Sequence, residues 1–303
     1  LQLIVKQIMD PLRQALESTT QQSVLDARDS APTGIARWEF ADNLQDSIGT
    51  AHGTAHAGAR LNAKSLHTTG QGYVVTAPLG QSIREKTLEA WVQLDSLSQR
   101  GGGAITIQTP DGHEFDSIVF GEQVSGEWLA GSNFFARTKS FGGPVEADAM
   151  KGPVHLAVTY SADGTISGYR NGIAYGESYK ASKPVEFIAG QAVVSFAIRH
   201  LPAGENKMLQ GRISRAQVFD RALSAKEIGL LYKAGGGGVP DEDVFARLEE
   251  KDQQKVLQIR SDIANIEHKR ASLRPLSATT DPSKPWSEIA RVLFMFKEFI
   301  YLR

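Results

Sequence analysis

The stretch from Pro153 to Gly176, PVHLAVTYSADGTISGYRNGIAYG, limits the possible folds of this chain more than any other. Apolar residues occupy every second position in its first part, which is typical of a strand with one face in a core. The alternation stops at Ser161–Gly164, resumes, and stops again at Asn171–Gly172. Both interruptions contain a glycine, which adopts the positive φ of tight turns at little cost. The stretch therefore predicts a meander of antiparallel strands.

The composition agrees with a globular domain rich in turns. The chain has 303 residues, 41% of them hydrophobic and 22% charged, and its 29 glycines against 12 prolines suit many short strands. A formal net charge of −1 lacks the basic excess of most nucleic-acid-binding domains, so we expect no nucleic acid partner. There is no cysteine, which excludes disulfides, thiolate metal sites and covalent haem attachment within these residues.

Membrane and export signals are missing from the printed sequence. No run of 18 apolar residues occurs, so we expect no membrane span. The chain begins with Leu1 in a helical pattern, without an initiator Met or a charged leader before an apolar segment. We therefore interpret it as a fragment of a longer protein, in which any export signal has been lost or lies upstream.

Both ends of the chain carry helical patterns. Residues 1–30 form a predicted helical segment, although Asp26 to Thr33 has the composition of a polar linker; the seam of this segment is Leu1, Val5, Ile8, Leu12 and Ala15. A long charged helix is expected over 236–275 and a C-terminal helix over 276–303. We expect Leu1 to Ser23 to pair with Asp241 to Leu273 as an antiparallel coiled-coil stem, because the domain between them would bring both ends together.

The region 31–235 has turn signals at short, regular spacing and few helical patterns. This predicts a mainly β fold, an antiparallel two-sheet jelly-roll sandwich of roughly a dozen strands. Strands are expected at Phe134 to Arg137 and at Val193 to Arg199, among others. Ser224 followed by Glu227 is a capping box that predicts a short helix after the last strand.

Four segments in this order resemble a laminin-G-like domain of the concanavalin A-like lectin/glucanase superfamily: ARWEFADNLQDSIGTAHGT, KTLEAWVQL, VHLAVTYSADGTISGYRNGIAYG and GRISRAQVFDRALSAKEIGLLYKAG. The resemblance covers about Ile35 to Gly235. It implies a jelly roll of two curved sheets that commonly binds glycans or proteins, sometimes through calcium. It also implies an extracytoplasmic location, whether periplasmic, cell-surface or secreted.

The C-terminal segment KPWSEIARVLFMFKEFIYLR carries a second resemblance. With the charged helix before it, it is similar to planctomycete-specific domains of unknown function, which occur beside planctomycete-type cytochrome c domains in large exported proteins. This resemblance rests on Trp286 to Arg303. It implies that the helices contact the remainder of a parent polypeptide or complex.

The acidic residues do not predict catalysis. Glycosidases on this jelly roll use two carboxylates on alternating positions of one strand, one as acid and one as nucleophile or base. Glu114-Phe115-Asp116 begins such a pattern, but Ile118 stands where the next acid would fall. We therefore name no catalytic residue and expect no enzyme, and keep hydrolysis as the least favoured alternative.

Calcium is a possible cofactor at the start of the glycine-rich loop. Asp42, Asn43 and Asp46 present the hard oxygen ligands that this ion prefers. The alternative is that these residues only form turns, which Asp and Asn do often.

Arg170 and Gly168 are the first candidates for a ligand groove. Related domains usually have apolar residues at these two strand positions. Glycine in a strand often marks the close approach of another group, and the arginine fork suits carboxylate or sulfate. The alternative is that Arg170 forms a buried salt bridge with a neighbour such as Glu89.

Further candidate ligand residues are Arg137, which follows an aromatic pair, Arg199 and His200, which end a predicted strand, and Trp91, which could stack on a sugar ring. For these the alternatives are ordinary surface polarity and, for the tryptophan, a place in the core. An exposed groove of aromatic and arginine residues would favour a non-catalytic recognition module for carbohydrate or a protein partner. A flat polar face would favour a structural scaffold in a multidomain, cytochrome-associated complex.

Overall fold

The computed structural model describes residues 1–181, 184–236 and 241–272. It divides into two compact units. One is Leu16–Pro240, which contains every strand found among the described residues, and the other joins Leu1–Ala15 to the chain from Asp241 onwards.

The strand-rich unit consists of two antiparallel sheets. Its described strands are β1 (Ala36–Trp38), β2 (Gly53–His56), β3 (Arg60–Asn62), β4 (Ser65–Thr69), β5 (Tyr73–Thr76), β6 (Lys86–Leu94), β7 (Gly102–Gln108), β8 (Phe115–Phe120), β9 (Trp128–Ser132), β10 (Val154–Tyr160), β11 (Thr165–Arg170), β12 (Ile173–Ala174), β13 (Tyr179–Lys180), β14 (Val193–Phe196) and β15 (Gln210–Phe219). The nine-stranded sheet has the order β12-β11-β10-β6-β15-β4-β3, with β1 beside β15 and β13 beside β11. The six-stranded sheet has the order β2-β5-β14-β7-β8-β9. This confirms the prediction of a mainly β, two-sheet sandwich.

The predicted meander forms one edge of the nine-stranded sheet, as strands β12, β11 and β10. Strands β10 and β11 pair in antiparallel register, with Val158 opposite Gly168. At the first turn the amide of Ser161 donates to the carbonyl of Thr165 at 2.9 Å. At the second, Asn171 and Gly172 adopt φ of 51° and 80°, as a tight primed turn requires.

The core lies between the two sheets. Edge-on contacts join Phe196 of the six-stranded sheet to Trp38 and Phe40, with ring centroids 4.8 and 5.0 Å apart. The indole N–H of Trp38 donates to the carbonyl of Ala51 at 2.9 Å, so this buried tryptophan leaves no polar atom unsatisfied. Burial of these rings explains the early signature ARWEF.

Helix α2 (Ala225–Ala234) covers part of the outer face of the nine-stranded sheet. Its N-terminus has the predicted capping box, in which Ser224 and Glu227 satisfy each other's backbone amides. Ile228 and Leu231 pack against Ala157 of β10. Strand β10 is therefore buried on both faces.

Helix α1 (Gln2–Ser30) spans the segment predicted as helical, 1–30, and includes the first five residues of the stretch with linker composition, Asp26 to Thr33. The predicted single helix from Asp241 is interrupted, giving α3 (Asp241–Ala246) and α4 (Glu250–Ser272). The side-chain amide of Gln253 explains the break, because it donates to carbonyls at the end of α3, among them that of Phe245 at 3.2 Å.

Three apolar side chains of the helical unit are shielded from solvent. Met9, Val244 and Val256 are almost fully buried. The antiparallel coiled-coil stem stays a prediction. The expected C-terminal helix over 276–303, and the resemblance that rests on Trp286 to Arg303, lie outside the described residues.

The expected strand at Phe134 to Arg137 is wrong. A 3₁₀ turn at Asn133–Phe135 takes its place, and Phe134 and Phe135 have φ of 45° and 56°. A hydrogen bond holds this turn of the chain, because the amide of Arg137 donates to the hydroxyl of Ser132 at 2.9 Å. Both rings are exposed.

The strand predicted from Val193 to Arg199 ends early, at Phe196. The following segment, Ala197–Met208, which we call the strap, lies against the outer face of the six-stranded sheet. The hydroxyl of Thr106 donates to the carbonyls of two strap residues at 3.0 Å each, and the amide of Leu201 donates to the side chain of Gln108 at 2.8 Å. The strap therefore occupies the face on which these polar side chains would otherwise meet solvent.

Candidate functional site

Arg137 lies in a buried charge network between the sheets and not on a rim. Its guanidinium donates to the carboxylate of Asp116 at 3.0 Å, and the ammonium of Lys86 lies 3.0 Å from the other oxygen of that carboxylate. All three side chains are at most 5% exposed. Burial lowers the pKa of Lys86, although the neighbouring carboxylate opposes this shift. Asp116, the second acid of Glu114-Phe115-Asp116, therefore binds two cationic side chains inside the protein.

Arg170 binds two carboxylates of its own chain. Its Nε and Nη2 donate to the two oxygens of Glu146 at 2.9 and 2.8 Å, and Nη2 also donates to Asp148 at 3.1 Å. Desolvation opposes ionisation of Glu146, but its bonds to Arg170 and to the indole of Trp128 prevail and lower its pKa to about 2. The salt bridge is thus made with the loop before β10, and Glu89 was the wrong neighbour.

Gly168 marks a close approach, as the sequence suggested, and the group that approaches is Phe141. A Cβ on Gly168 would lie 2.8 Å from that ring. Together the glycine and Arg170 hold the loop that contains Phe141, Glu146 and Asp148 against β11.

Arg199 and His200 belong to the strap. The guanidinium of Arg199 forms a nearly buried ion pair with Glu122, and burial raises the pKa of that carboxyl. The imidazole of His200 stacks on Phe115 with ring centroids 4.4 Å apart. Both side chains attach the strap to the sheet beneath it.

The three suggested calcium ligands take part in turns. The carboxylate of Asp46 accepts backbone N–H groups of Arg37 and Ile48 at 3.0 Å each, and of Ala51 at 3.2 Å. Asn43 accepts from the amide of Gln45 at 2.9 Å, while Asp42 precedes it in the same loop. Within the described ranges, no group of three or more His, Cys, Asp or Glu side chains is placed to hold a metal ion. Calcium binding by Asp42, Asn43 and Asp46 stays a prediction.

Glu89 lies on the outer face of the nine-stranded sheet, beneath α2. One carboxylate oxygen is 3.2 Å from Nε2 of His155, and the other accepts from Gln217 at 3.1 Å. Both ionisable side chains are fully buried. This cluster was not singled out from the sequence, because its members come from three strands that adjoin only in the folded sheet.

Trp91 is the predicted ligand residue that lines an open groove. We call it the Trp91 groove: it has a volume of about 310 Å³ and is lined by Ala63, Lys64, Ser65, Trp91, Gln93, Pro153, Arg212 and Ser214. One face of the indole stacks on Tyr232 of α2, with centroids 5.6 Å apart and planes at 10°. The ring is 9% exposed, so only a part of its surface is available in the groove.

The lining of the Trp91 groove carries two cations and no carboxylate. Arg212 on β15 is directly opposite Gln93 on β6, and it forms no ion pair with any residue that the structure describes. Lys64 lies in the exposed β3–β4 turn. The register of β15 shifts between Ile213 and Arg215, which places Ser214 at an irregularity beside the groove.

Sequence reasoning missed Arg212. The signal was present in GRISRAQVF, where Arg212 alternates with the buried Ile213. A strand with one apolar face directs its arginines to the other face. The position of Trp91 on the same outer face required the strand order of the folded sheet.

A family model described as the concanavalin A-like lectin/glucanases superfamily, of the laminin-G type, matches residues 68–229, more than half of the chain. The chain belongs to this superfamily. The match runs from residue 68 in β4 to helix α2, and so includes Trp91, Gln93 and Arg212 of the groove, whereas Ala63, Lys64 and Ser65 precede it. No protein in a curated set matches the sequence.

Solved structures of this superfamily's fold are similar in architecture at low sequence identity. Domain 4 of AbnA, a GH43 extracellular arabinanase from Geobacillus stearothermophilus in complex with arabinotriose, is 17% identical with a TM-score of 0.54, over 67% of this chain and 99% of that domain. The botulinum neurotoxin DC binding domain in complex with rat synaptotagmin II is 14% identical with a TM-score of 0.48, over 66% of this chain and 51% of that one. Trypanosoma rangeli sialidase in complex with 2,3-difluorosialic acid is 14% identical with a TM-score of 0.49, over 68% of this chain and 33% of that one.

Among the helices that the structure describes, none has both the length and the apolar composition needed to cross a bilayer.

Proposed function

We propose that the sandwich is a non-catalytic recognition module that binds an acidic polysaccharide in the Trp91 groove. The observation that carries the proposal is the lining of this groove, in which an indole ring lies beside Arg212 and Lys64 without any carboxylate. A protein ligand remains the alternative for the same groove.

Each part of the lining suits a different part of a sugar chain. The small part of Trp91 that is exposed in the groove offers an apolar contact for a sugar ring, and Gln93 offers an amide for its hydroxyls. The guanidinium of Arg212 has a planar donor fork that matches a carboxylate or sulfate, and Lys64 adds a second cation. A uronic acid or a sulfated sugar would use all four groups.

The comparisons support carbohydrate as the ligand class. The superfamily is described by its lectins and glucanases, and the arabinanase domain of the same fold was solved with arabinotriose. Because that arabinanase is extracellular, we propose that this chain also functions outside the cytoplasm. A fold alone does not fix function, so the argument rests on the groove.

The experiment is a titration of the full chain with oligomers of galacturonic acid and with neutral galactose oligomers, each repeated with calcium and with chelator. We expect only the acidic oligomers to bind. The substitution Arg212→Gln should lower the affinity for them about tenfold, which corresponds to about 1.4 kcal/mol of binding free energy. Arg84→Gln, a change at an exposed arginine whose side chain is not among the lining residues, should leave the affinity unchanged.

Two results would contradict the proposal. One is equal binding of acidic and neutral oligomers, and the other is unchanged affinity after Arg212→Gln. Loss of binding with chelator would add a calcium ion to the site and direct attention to Asp42, Asn43 and Asp46.

The helical unit favours a second role, as the contact of this domain with the rest of a parent polypeptide or complex. Leu3 is 68% exposed and Leu257 is 54% exposed, on α1 and α4. Light scattering of the full chain over a range of concentrations would test this second role. The scaffold role predicts that the chain associates through these residues, and that the variant carrying Leu3→Gln and Leu257→Gln does not associate.

A further inference from the structure

A second cleft opens on the outer face of the nine-stranded sheet. We call it the arginine cleft: it has a volume of about 430 Å³, within the usual range of small-molecule sites, and is lined by Arg28, Ala31, Pro32, Thr33, Arg37, Glu39, Arg215, Gln217, Leu231 and Ala234. Its lining shares no residue with the Trp91 groove.

The cations of the arginine cleft come from three different elements. Arg28 belongs to α1, Arg37 to β1 and Arg215 to β15. Strand pairing places Arg37 directly opposite Gln217, two positions from Arg215 on the same strand. The cleft therefore forms where the end of α1 meets the sheet.

Arg28 also connects the cleft to helix α2. Its Nε donates to the carbonyl of Ala234, the last residue of α2, at 3.3 Å. This is a favourable position for a cation, because a helix C-terminus carries partial negative charge. The bond uses one of the five N–H groups of the guanidinium.

Glu39 lies between the other two arginines. Its carboxylate accepts from Nε of Arg215 at 3.1 Å and forms an ion pair with Arg37. The side chains of Arg37 and Arg215 stay 38% and 20% exposed. The carboxylate of Glu39 therefore lies between two guanidinium groups, where the oxygens of a bound anion would also lie.

Charge balance selects the ligand. Three arginines against one carboxylate leave the lining with two uncompensated positive charges. We propose that the arginine cleft binds the dianionic group of a phosphate monoester. Arginine forks match phosphate oxygens in pairs, and a phosphate monoester carries nearly two negative charges above its second pKa, near 6. The volume of the cleft leaves room for the organic part of the ester. This inference is independent of the polysaccharide proposal.

The test is calorimetric titration of the full chain at pH 8 with inorganic phosphate, glucose 6-phosphate and phosphoserine. Arg215→Gln should weaken binding about tenfold, because it removes one of the donor forks. Arg84→Gln is the control and should bind as the parent does, since Arg84 is exposed and does not line the cleft. Thermal unfolding of each variant shows whether it is folded.

Glu39→Gln makes the sharper variant, because a gain cannot come from misfolding. Without the competing carboxylate, Arg37 and Arg215 are free for the ligand, so the affinity for phosphate should rise severalfold. At pH 5, where phosphate is mainly a monoanion, the affinity of the parent should fall about tenfold.

The three ligands separate the possible sources. Tighter binding of the sugar phosphate or of phosphoserine than of inorganic phosphate identifies which organic group the cleft accepts, and equal binding identifies the phosphate group as the whole recognised unit. No binding to any of them, equal binding at pH 5 and 8, or weaker binding by Glu39→Gln overturns the proposal.

Discussion

The glycine at position 168, which the sequence suggested as the mark of a close approach, reflects packing within the chain. The ring of Phe141 occupies the space that a side chain on this residue would need. The expectation of a close approach from a glycine in a strand was sound, because the missing side chain is a local property. The identity of the approaching group depends on a loop 27 positions away in sequence, and no pattern around Gly168 contains it.

We predict that Gly168→Ala lowers the free energy of unfolding by about 1 to 3 kcal/mol, because the new methyl group forces Phe141 to move. Gly152→Ala is the control, since a Cβ there has no neighbour within 4 Å. Urea unfolding of both variants at pH 7 measures the difference. Equal stability of the two would show that the loop holding Phe141 yields without cost.

The Glu146–Arg170 pair gives a prediction for pH. The pKa of Glu146 is about 2 in the folded protein against an ordinary value of 4.5, so its ionised form stabilises the fold above pH 4.5 and this contribution is lost as the pH falls towards 2. Glu146→Gln should therefore lower the free energy of unfolding by about 3 kcal/mol at pH 7 and by about 1 kcal/mol at pH 3.

Urea unfolding of parent and variant over this pH range measures both differences. Asp163→Asn serves as the comparison, because that carboxylate also has a lowered pKa but is exposed in a turn. A deficit of Glu146→Gln that is the same at pH 7 and pH 3 would exclude the ionised pair as its cause.

Among the elements, the strap departs furthest from expectation. Gly102 and Gly103 begin β7, although glycine usually weakens a strand. A Cβ on Gly103 would lie 2.5 Å from Cα of Arg199, so the glycines allow the strap to pack directly on the strand. Alternation in the sequence predicts the structure of the segment in which it occurs. The strap is held instead by contacts to β7, to β8 and to the loop that contains Glu122.

We predict that Gly103→Ala lifts the strap. The new methyl group meets backbone, which cannot move aside, so the free energy of unfolding should fall by about 2 kcal/mol or more. Hydrogen exchange should show faster exchange at the amide of Leu201, which donates to Gln108. Gly80→Ala, with no neighbour within 4 Å of its Cβ, should leave that amide protected. Unchanged exchange in Gly103→Ala would show that the strap does not depend on this contact.

For the whole molecule, the architecture was predictable and the sites were not. The signatures around the meander and the final strand are local in sequence, and each fixes a hairpin or a cap whose geometry is independent of the rest. The Trp91 groove and the arginine cleft each combine side chains from several elements, so they exist only once the strand order is set. Arg137, Arg170 and Arg199 could not be told apart from Arg212 without that order.

The division into two units gives a prediction at this scale. A chain consisting of Leu16–Pro240 should fold and unfold cooperatively, because it contains the complete sandwich and helix α2. Its thermal midpoint and near-UV circular dichroism should match those of the sandwich in the full chain. A loss of near-UV signal would mean that the sandwich requires the helical unit for its folding.

The position of Trp91 gives this protein an optical property. Trp38 and Trp128 are at most 2% exposed, whereas Trp91 borders the groove. In a chain carrying Trp286→Phe, acrylamide should therefore quench the emission of Trp91 selectively, and a sugar bound in the groove should shield it. The molecule would then report the occupancy of its own site by its intrinsic fluorescence, without any attached dye.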